Sequence, residues 1–331
     1  NFTVQNSDLL LSVGSRLSVP QVGYNFPLFA RVAKKIIVDI DSAELKKPSL
    51  KPDLPIQADA KKFMIELLTQ LEEVKPFEIS SWLQRCRNWK QKYPVILPEY
   101  KECKDAVNSF YFIQVLSEKL NEKAVIVTDM GTSFTCTMQT FKIKLGQRLS
   151  TSSGHASMGF GLPGAIGACI GNNRKDTICI SGDGGLQMNI QELQTIVHYK
   201  LPIKLFVLNN NGYLTIKATQ QNHFGRFVGA EKSSGVTCPD IIKVAEAYGL
   251  PTAKIANTEE LNTKIESILQ TPGPIVCEII MSENQPLIPR VSSLKKPDGT
   301  IISKPIEDLY PFLSREEFFE NMIVDPTEIL K

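Results

Sequence analysis

Apolar residues along this chain gather in short β-branched runs, separated by longer stretches in which they recur every three or four positions. The runs are Leu9–Val13, Lys35–Ile40, Ala124–Thr128, Thr177–Ser181, Ile203–Leu208 and Ile275–Ile280. Each is strand-length and apolar enough to be covered on both faces, whereas the recurrence between many of them is that of amphipathic helices. Strands alternating with helices predict an α/β class: doubly wound parallel sheets with helices on both faces. The pattern breaks between Pro76 and Pro98, where SSWLQRCRNWKQKYP predicts a connecting helix that ends before Pro94, because a proline disfavours helical backbone at the residue before it. The expected organisation is a partial α/β domain at 1–75, a linker helix at 76–104 and a larger α/β domain at 105–285. A Pro-, Ser- and Lys-rich arm or lid is expected at 286–331.

Composition narrows the function more than the fold. At 331 residues, the length suits about two domains, each with its own core. Lysine and arginine total 37 against 35 acidic residues, a net charge of +2 without charged blocks. That argues against binding to nucleic acid or a membrane surface by bulk electrostatics. The seven cysteines are scattered, with no C-x-x-C pair, and read as reduced thiols of a cytoplasmic protein. No apolar run approaches the roughly 18 residues of a membrane span, and the first residues lack a signal-peptide pattern. The chain does not begin with Met, so a fragment is expected.

Candidate chemistry concentrates in GDGGLQMNIQELQTIVHYKLPIKLFVLNNNGY, residues 182–213. A buried-strand run leads into a Gly/Asp turn that glycine enters cheaply, and Ile190, Leu193, Ile196 and Val197 follow at helical spacing before a second strand run. In such a β-turn-α-β unit the loops lie at the carboxyl ends of adjacent strands, where open α/β sheets bind ligands. Asp183 falls in the first loop and Asn210 in the second, 27 positions later (210 − 183). A carboxylate, an amide oxygen and the backbone carbonyl near Gly212 form an all-oxygen set suited to magnesium or calcium rather than zinc. Three protein oxygens leave about half an octahedral shell open, which phosphate oxygens fill for magnesium. Gly184 and Gly185, at the helix start, would present N–H groups to the same phosphates.

This spacing resembles the GDG…NN motif of thiamine-diphosphate enzymes, and the surrounding words resemble their acetolactate synthase branch along essentially the whole chain. DLLLSVGSRL and KKIIVDIDSAELKKPSLKPDLPIQADAKKF are similar to the second half of that family's central domain, which binds FAD in some members. TDMGTSF and SSGHASMGFGLPGAIGA are similar to its diphosphate domain. The resemblance implies that Asp183, Asn210 and the Gly212 carbonyl hold Mg2+. It places Gly131, Thr132, Ser133, Gly182, Gly184 and Gly185 around the diphosphate, and Asn210, Gly212, Tyr213 and Leu214 beside the cofactor. Met188 matches the apolar residue that bends the cofactor, and Met158 a second apolar contact.

The family's activating glutamate lies in a pyrimidine-binding domain for which this chain has no matching motif, so no catalytic acid is assigned. Thr132 and Ser133 stand where acetolactate synthases carry Gln-His, and Thr219 where they carry a bulky Trp. The GDGG form, NNNGY and PIEDLYPFLSREEF look closer to acetolactate synthase-like proteins linked to sugar or surface-polysaccharide pathways. The implied reaction is decarboxylation of a 2-keto acid followed by carboligation to a second carbonyl compound, a keto acid or aldehyde, in a homodimer or homotetramer.

Two other readings follow from the same residues. One is a non-catalytic relative that binds the cofactor or a partner subunit. The other is a nicotinamide-dependent oxidoreductase built on GFGLPG (159–164) with Asp183 as its acidic residue, although the polar RLSTSSGHAS before it predicts no leading strand. Taken singly, Asp183 fits a helix start, Asn209–Asn211 a turn, and Met158 and Met188 core fillers. His155, near the expected groove, is a further catalytic candidate, and His198 at a helix end reads as structural.

Overall fold

A computed structural model describes residues 1–74, 78–295 and 298–326. Its contacts divide into two units, Asn1–Pro94 with Ile288–Lys331, and Val95–Leu287. The stretch expected as an arm or lid therefore groups with the amino-terminal unit, from residue 288 onward. The expected boundary at 75/76, and positions 296–297 and 327–331 of the arm, fall outside the described residues.

The first unit carries a parallel sheet of β1 (Leu9–Val13), β2 (Lys34–Asp39) and β3 (Leu54–Gln57), in that order. Phe29, Ala30, Ile37 and Leu50 form its core with Val22 and Ile306. Two polar clusters fix the carboxyl-terminal segment to it. Glu307, buried, takes the Arg31 guanidinium at 2.6 Å and the Gln5 amide at 2.5 Å. Asp308 takes Lys304 and Arg315, each at 2.8 Å. The predicted connecting helix forms as Ser80–Lys92 and buries Trp89, whose indole N–H donates to Asn321.

The second unit is built on a six-stranded, all-parallel sheet. Its strands are β4 (Val125–Thr128), β5 (Arg148–Ser150), β6 (Thr177–Gly182), β7 (Ile203–Asn209), β8 (Thr252–Ile255) and β9 (Ile275–Ile280), in the order β5-β4-β6-β7-β9-β8. Side chains on a strand alternate between faces, so the continuous apolar runs feed two separate cores. Ile126, Ile178, Ile180, Phe206, Leu208 and Ile279 pack with Phe110, Ile113 and Leu116 of the helix Ser109–Lys119. Val127, Cys179, Leu205, Val207 and Val276 pack on the other face with Leu162, Ala165, Leu193 and Ile196. At roughly 1.5–3 kcal/mol per fully buried Val, Leu, Ile or Phe side chain, these two layers dominate the driving force and hold the strand ends in place. Every loop that matters below leaves this sheet at a carboxyl end.

One helix departs from its predicted form. The 3.6-residue pattern of residues 183–199 breaks at Asn189 (φ −140°, ψ 34°), leaving the helices Asp183–Leu186 and Leu193–Tyr199 joined by a 3₁₀ stretch. The cause is local: the Asn189 amide turns away to donate to the Gly159 carbonyl at 2.8 Å. Short polar side chains compete with helix geometry in this way.

Candidate functional site

β4 runs on to β5 on one side of the sheet, while β6 lies on its other side. The strand order thus reverses between β4 and β6, and open α/β sheets bind ligands beyond the carboxyl ends at such a switch. A cavity of about 330 Å3 lies there, formed by the loops after β4, β6 and β7.

Asp183 follows β6 directly and is buried. Its Oδ1 accepts the Gly184 N–H at 2.9 Å, and its Oδ2 accepts the Gly212 N–H at 3.0 Å. Gly182 pairs with Leu208 in the register of β6 and β7, which is why residues so far apart in sequence meet. The Asn210 amide oxygen lies 3.0 Å from Asp183 Oδ1 and 3.1 Å from the Gly212 carbonyl oxygen. Three acceptors thus face one another with no proton among them. Such oxygens repel unless the amide turns over to donate its N–H groups, or a cation sits among them. Burial pushes the Asp183 carboxyl up to about 6, against the pull of the Gly212 and Gly184 N–H groups. Its negative charge is undercompensated, so a proton or a cation there would be favoured. Among the described residues, no group of three or more His, Cys, Asp and Glu could hold a metal. A metal here therefore relies on amide and backbone oxygens.

The opposite wall supplies donors. Gly131, at φ +79° and ψ −134°, starts the helix Thr132–Thr140, which has no side-chain cap and no acidic residue in its first turn. The first N–H groups of a helix have no intrahelical partner, and its dipole favours an anion there. The glycines of the GDGG turn differ in their reasons. A Cβ on Gly184 would lie 2.3 Å from the Tyr213 ring, and one on Gly185 would lie 2.7 Å from Asp129 Oδ2, whereas one on Gly182 would meet nothing within 4 Å.

The structure brings most of the predicted residues into one lining: Gly131, Thr132, Met158, Gly182, Asp183, Gly184, Gly185, Asn210, Gly212, Tyr213 and Leu214. Ser133 and Met188 are not part of it. Ser133 is fully buried and its hydroxyl donates back to the Met130 carbonyl at 3.0 Å, while Met188 is half exposed with its Cβ against Gly159. His155 is exposed and outside the lining. Thr219 is exposed on the helix Leu214–Phe224, its hydroxyl bonded to the Thr215 carbonyl. The glycines of GFGLPG serve close packing instead of a dinucleotide turn. A Cβ on Gly161 would lie 2.8 Å from Asp129 and one on Gly164 2.9 Å from the Phe160 ring, and the preceding strand ends at Ser150.

Asp129 is the residue the sequence reading passed over. Buried beyond β4, it accepts the Met130 and Gly159 N–H groups at 2.8 and 2.9 Å on Oδ1 and the Ser181 hydroxyl at 2.7 Å on Oδ2. It thereby joins three segments that frame the cavity. The signal was present in TDMG, an acidic residue directly after an apolar strand run. Cys238 is close enough to feel the Asp183 carboxylate: burial, then the Asp183 charge, push its thiol up to about 12, so it stays protonated.

Comparison with known proteins matches two stretches of the chain to known domains. Residues 129–279 match the family model "Thiamine pyrophosphate enzyme, C-terminal TPP binding domain", and residues 1–67 match "Thiamine pyrophosphate enzyme, central domain". The chain is similar to the acetolactate synthase large subunit of Cyanidium caldarium, at 35% identity over 299 residues, 88% of this chain and 49% of that protein. It is also similar to the acetolactate synthase large subunit of Pyropia yezoensis, at 35% over 310 residues, 92% and 51% of the two chains. Acetolactate synthase 2, chloroplastic, of Nicotiana tabacum is 34% identical over 302 residues, 88% and 45%. The chain spans about half the length of the curated relatives it matches. With its Gly/Asp turn, its Asn loop and its central and C-terminal segments all matching, the chain belongs to the thiamine pyrophosphate enzyme family.

Proposed function

We propose that the cavity beyond β4, β6 and β7 holds thiamine diphosphate through Mg2+, and that the chain serves acetolactate synthase-like decarboxylation of a 2-keto acid and carboligation to a second carbonyl compound. The observation that carries this reading is the convergence of Asp183 Oδ1, Asn210 Oδ1 and the Gly212 carbonyl. Adjacent oxygens around octahedral magnesium, at about 2.0–2.1 Å from the metal, are roughly 2.9 Å apart, whereas calcium at about 2.3–2.6 Å spreads them to roughly 3.3–3.7 Å. The observed 3.0 and 3.1 Å are compatible with magnesium and are also ordinary N–H···O distances for the Asn210 amide turned over.

Bound thiamine diphosphate supplies the carbon nucleophile and the electron sink; the protein supplies binding, orientation and exclusion of water. Asp183, Asn210 and the Gly212 carbonyl orient the ion, which anchors and does not activate water. The uncapped N–H groups at Thr132 and the N–H of Gly185 would donate to the diphosphate, whereas the Gly184 N–H is taken by Asp183 Oδ1. Phe134, Met158, Leu214 and Ile216 line the cavity with apolar surface and keep water from the reacting carbons.

Asp183 is the sole carboxylate in that lining among the described residues. We assign the proton transfer at the aminopyrimidine to a pyrimidine-binding domain that meets this cavity across a subunit interface, in a homodimer or homotetramer. FAD stays with the central-domain reading as a further ligand to test by its absorbance. All seven cysteines are free thiols, in keeping with a reducing compartment such as the cytoplasm, and no described helix is long and apolar enough to cross a membrane.

The test is calorimetric titration of the chain with thiamine diphosphate, with and without Mg2+. Binding that needs Mg2+ and is lost in Asp183→Ala is the expected result; magnesium-independent binding, or unchanged affinity in the variant, overturns the assignment. Release of CO2 from pyruvate and other 2-keto acids, with a pyrimidine-binding domain supplied, then tests the reaction class.

A further inference from the structure

We propose that Glu278, acting through Asn209, is a positioning residue that sets the metal-binding conformation of the Asn210–Gly212 loop. The inference rests on the magnesium reading above and extends it one shell outward, to a carboxylate on the neighbouring strand β9.

Glu278 is buried, 4% exposed, in the middle of β9, where it pairs with Val207 of β7 on one side and Lys254 of β8 on the other. A charge in that position costs free energy unless it is paired and hydrogen-bonded. Its Oε2 takes the Lys254 ammonium at 3.1 Å, and its Oε1 accepts the Asn209 amide N–H at 2.7 Å. That second bond has a directional consequence. With Nδ2 committed to Glu278, Asn209 must present Oδ1 on its other side, where it accepts the Asn211 N–H at 3.0 Å. The resulting tight turn holds Asn211 at φ +57°, a left-handed conformation that Asn tolerates better than most residues. Asn209 is also pinned through its carbonyl, which accepts the Met281 N–H at 2.8 Å.

The turn so fixed lies between the two loop ligands. Asn210 precedes the left-handed residue and Gly212 follows it, and only with that reversal do the Asn210 amide oxygen and the Gly212 carbonyl lie 3.1 Å apart facing Asp183. Gly212 is held from the other side, since its N–H bonds to Asp183 and a Cβ on it would lie 2.5 Å from the Ala230 carbonyl. Glu278 is not part of the cavity lining. Its effect passes through the orientation of one amide, so any donor–acceptor pair that keeps Asn211 N–H satisfied should serve equally well.

That property supplies the test. Asn209→Asp sets a second carboxylate against Glu278, whereas Asn209→Asp with Glu278→Gln restores the bond with donor and acceptor exchanged: the Gln amide donates to the Asp, which still accepts from Asn211. Mg2+-dependent binding of thiamine diphosphate is measured by calorimetry, at a temperature where each variant melts cooperatively well above the assay. Loss of an outer partner of a metal site typically costs about 10–100-fold in affinity. We expect Asn209→Asp to weaken binding at least about tenfold, Glu278→Gln alone to stay close to wild type, and the double variant to recover most of the loss. A purely structural role would lower the melting temperature without this pattern in affinity. Should Asn209→Asp not fold, Asn209→Ala removes the acceptor without adding charge; it should weaken binding similarly and gain nothing from Glu278→Gln. Asn209 variants within twofold of wild type, or a double variant no tighter than Asn209→Asp, overturn the positioning role while a magnesium site confirmed by Asp183→Ala stands. Unchanged affinity in Asp183→Ala overturns both.

Discussion

The two ends of the six-stranded sheet both carry cavities, and the larger is at the end away from the Gly/Asp turn. At the amino ends of β4, β6 and β7 a space of about 580 Å3 is lined by Lys119, Lys123, Arg174, Lys175 and Lys204, with Asp176 and Glu266. At the carboxyl ends the space is about 330 Å3 and its lining holds one charged residue, Asp183. Size and charge alone would favour the first. The state of the polar groups reverses that choice. Lys204 is buried with its ammonium donating to the Thr271 and Gly273 carbonyls, Lys119 pairs with Glu266 at 3.1 Å, and Arg174 lies over the Tyr199 ring. At the carboxyl end, three oxygens face one another and a helix begins uncapped. Satisfied polar groups build structure, whereas unsatisfied ones that the fold maintains mark a place for a ligand.

The sharpest way to break this contrast is to remove one charge from each end. Asp183→Ala should weaken Mg2+-dependent thiamine diphosphate binding by more than the roughly 10–100-fold that loss of an outer partner costs, while Lys175→Ala leaves the titration unchanged. Equal effects at both ends would remove the distinction.

Lys204→Ala probes the structural end alone. It opens a cavity and leaves the Thr271 and Gly273 carbonyls without their donor, so urea unfolding should register a loss of about 2–4 kcal/mol. Cofactor affinity of the folded variant should not move, because the variant end of β7 lies about five residues, roughly 17 Å, from Asn209. A loss of affinity without a loss of stability would put the amino-end cavity into the function.

The glycines of one turn sharpen the comparison within the site itself. Gly184→Ala drives a methyl group into the Tyr213 ring and should cost about 1–3 kcal/mol. Gly182→Ala, with a negative φ of −89° and open space around it, should be neutral or stabilising by up to about 1 kcal/mol. Unfolding curves for the two variants that coincide would mean that the Tyr213 ring yields and the close approach is not what selects glycine.

How much of this was legible in the residues depends on where each strand lies. The predicted runs at Ala124–Thr128, Thr177–Ser181, Ile203–Leu208 and Ile275–Ile280 became the four interior strands β4, β6, β7 and β9, buried on both faces and therefore continuously apolar. In the two parallel sheets the strands without a signal, β3, β5 and β8, are all edges. Edge strands expose one side, so Arg148–Ser150 and Thr252–Ile255 alternate weakly, and β3 tolerates Pro55, which an interior strand would reject. In the candidate site, Asp183 and Asn210 were legible because adjacent parallel strands put consecutive loops together. Glu278 and Asn209 were not, since their roles depend on a hydrogen bond between strands far apart in the chain; Asp129 is marked by its place after a strand run, and only its bonds to Gly159 and Ser181 reveal what it joins. Met188, expected from the resemblance alone, lies on the 3₁₀ stretch where Asn189 breaks the helix.

A dependence on pH is expected as well, and its sign separates a metal site from an ordinary buried carboxylate. Burial lifts Asp183 from its ordinary 3.8 to about 6, so the folded chain binds this proton more tightly than the unfolded chain does. The stability it contributes without metal is fully present below about 3.8 and is lost as pH rises through about 6, a change on the order of 2–3 kcal/mol at 1.36 kcal/mol per unit. A cation that binds the ionised carboxylate offsets that loss only where the carboxylate is ionised. The rise in melting temperature produced by Mg2+ with thiamine diphosphate should therefore be full at pH 8 and shrink between pH 7 and 5, with affinity falling about tenfold per unit below 6. Thermal melts across that range, with and without the ligand pair, check it. A ligand-induced shift of constant size from pH 5 to 8 would mean that the Asp183 carboxylate is not what holds the ion.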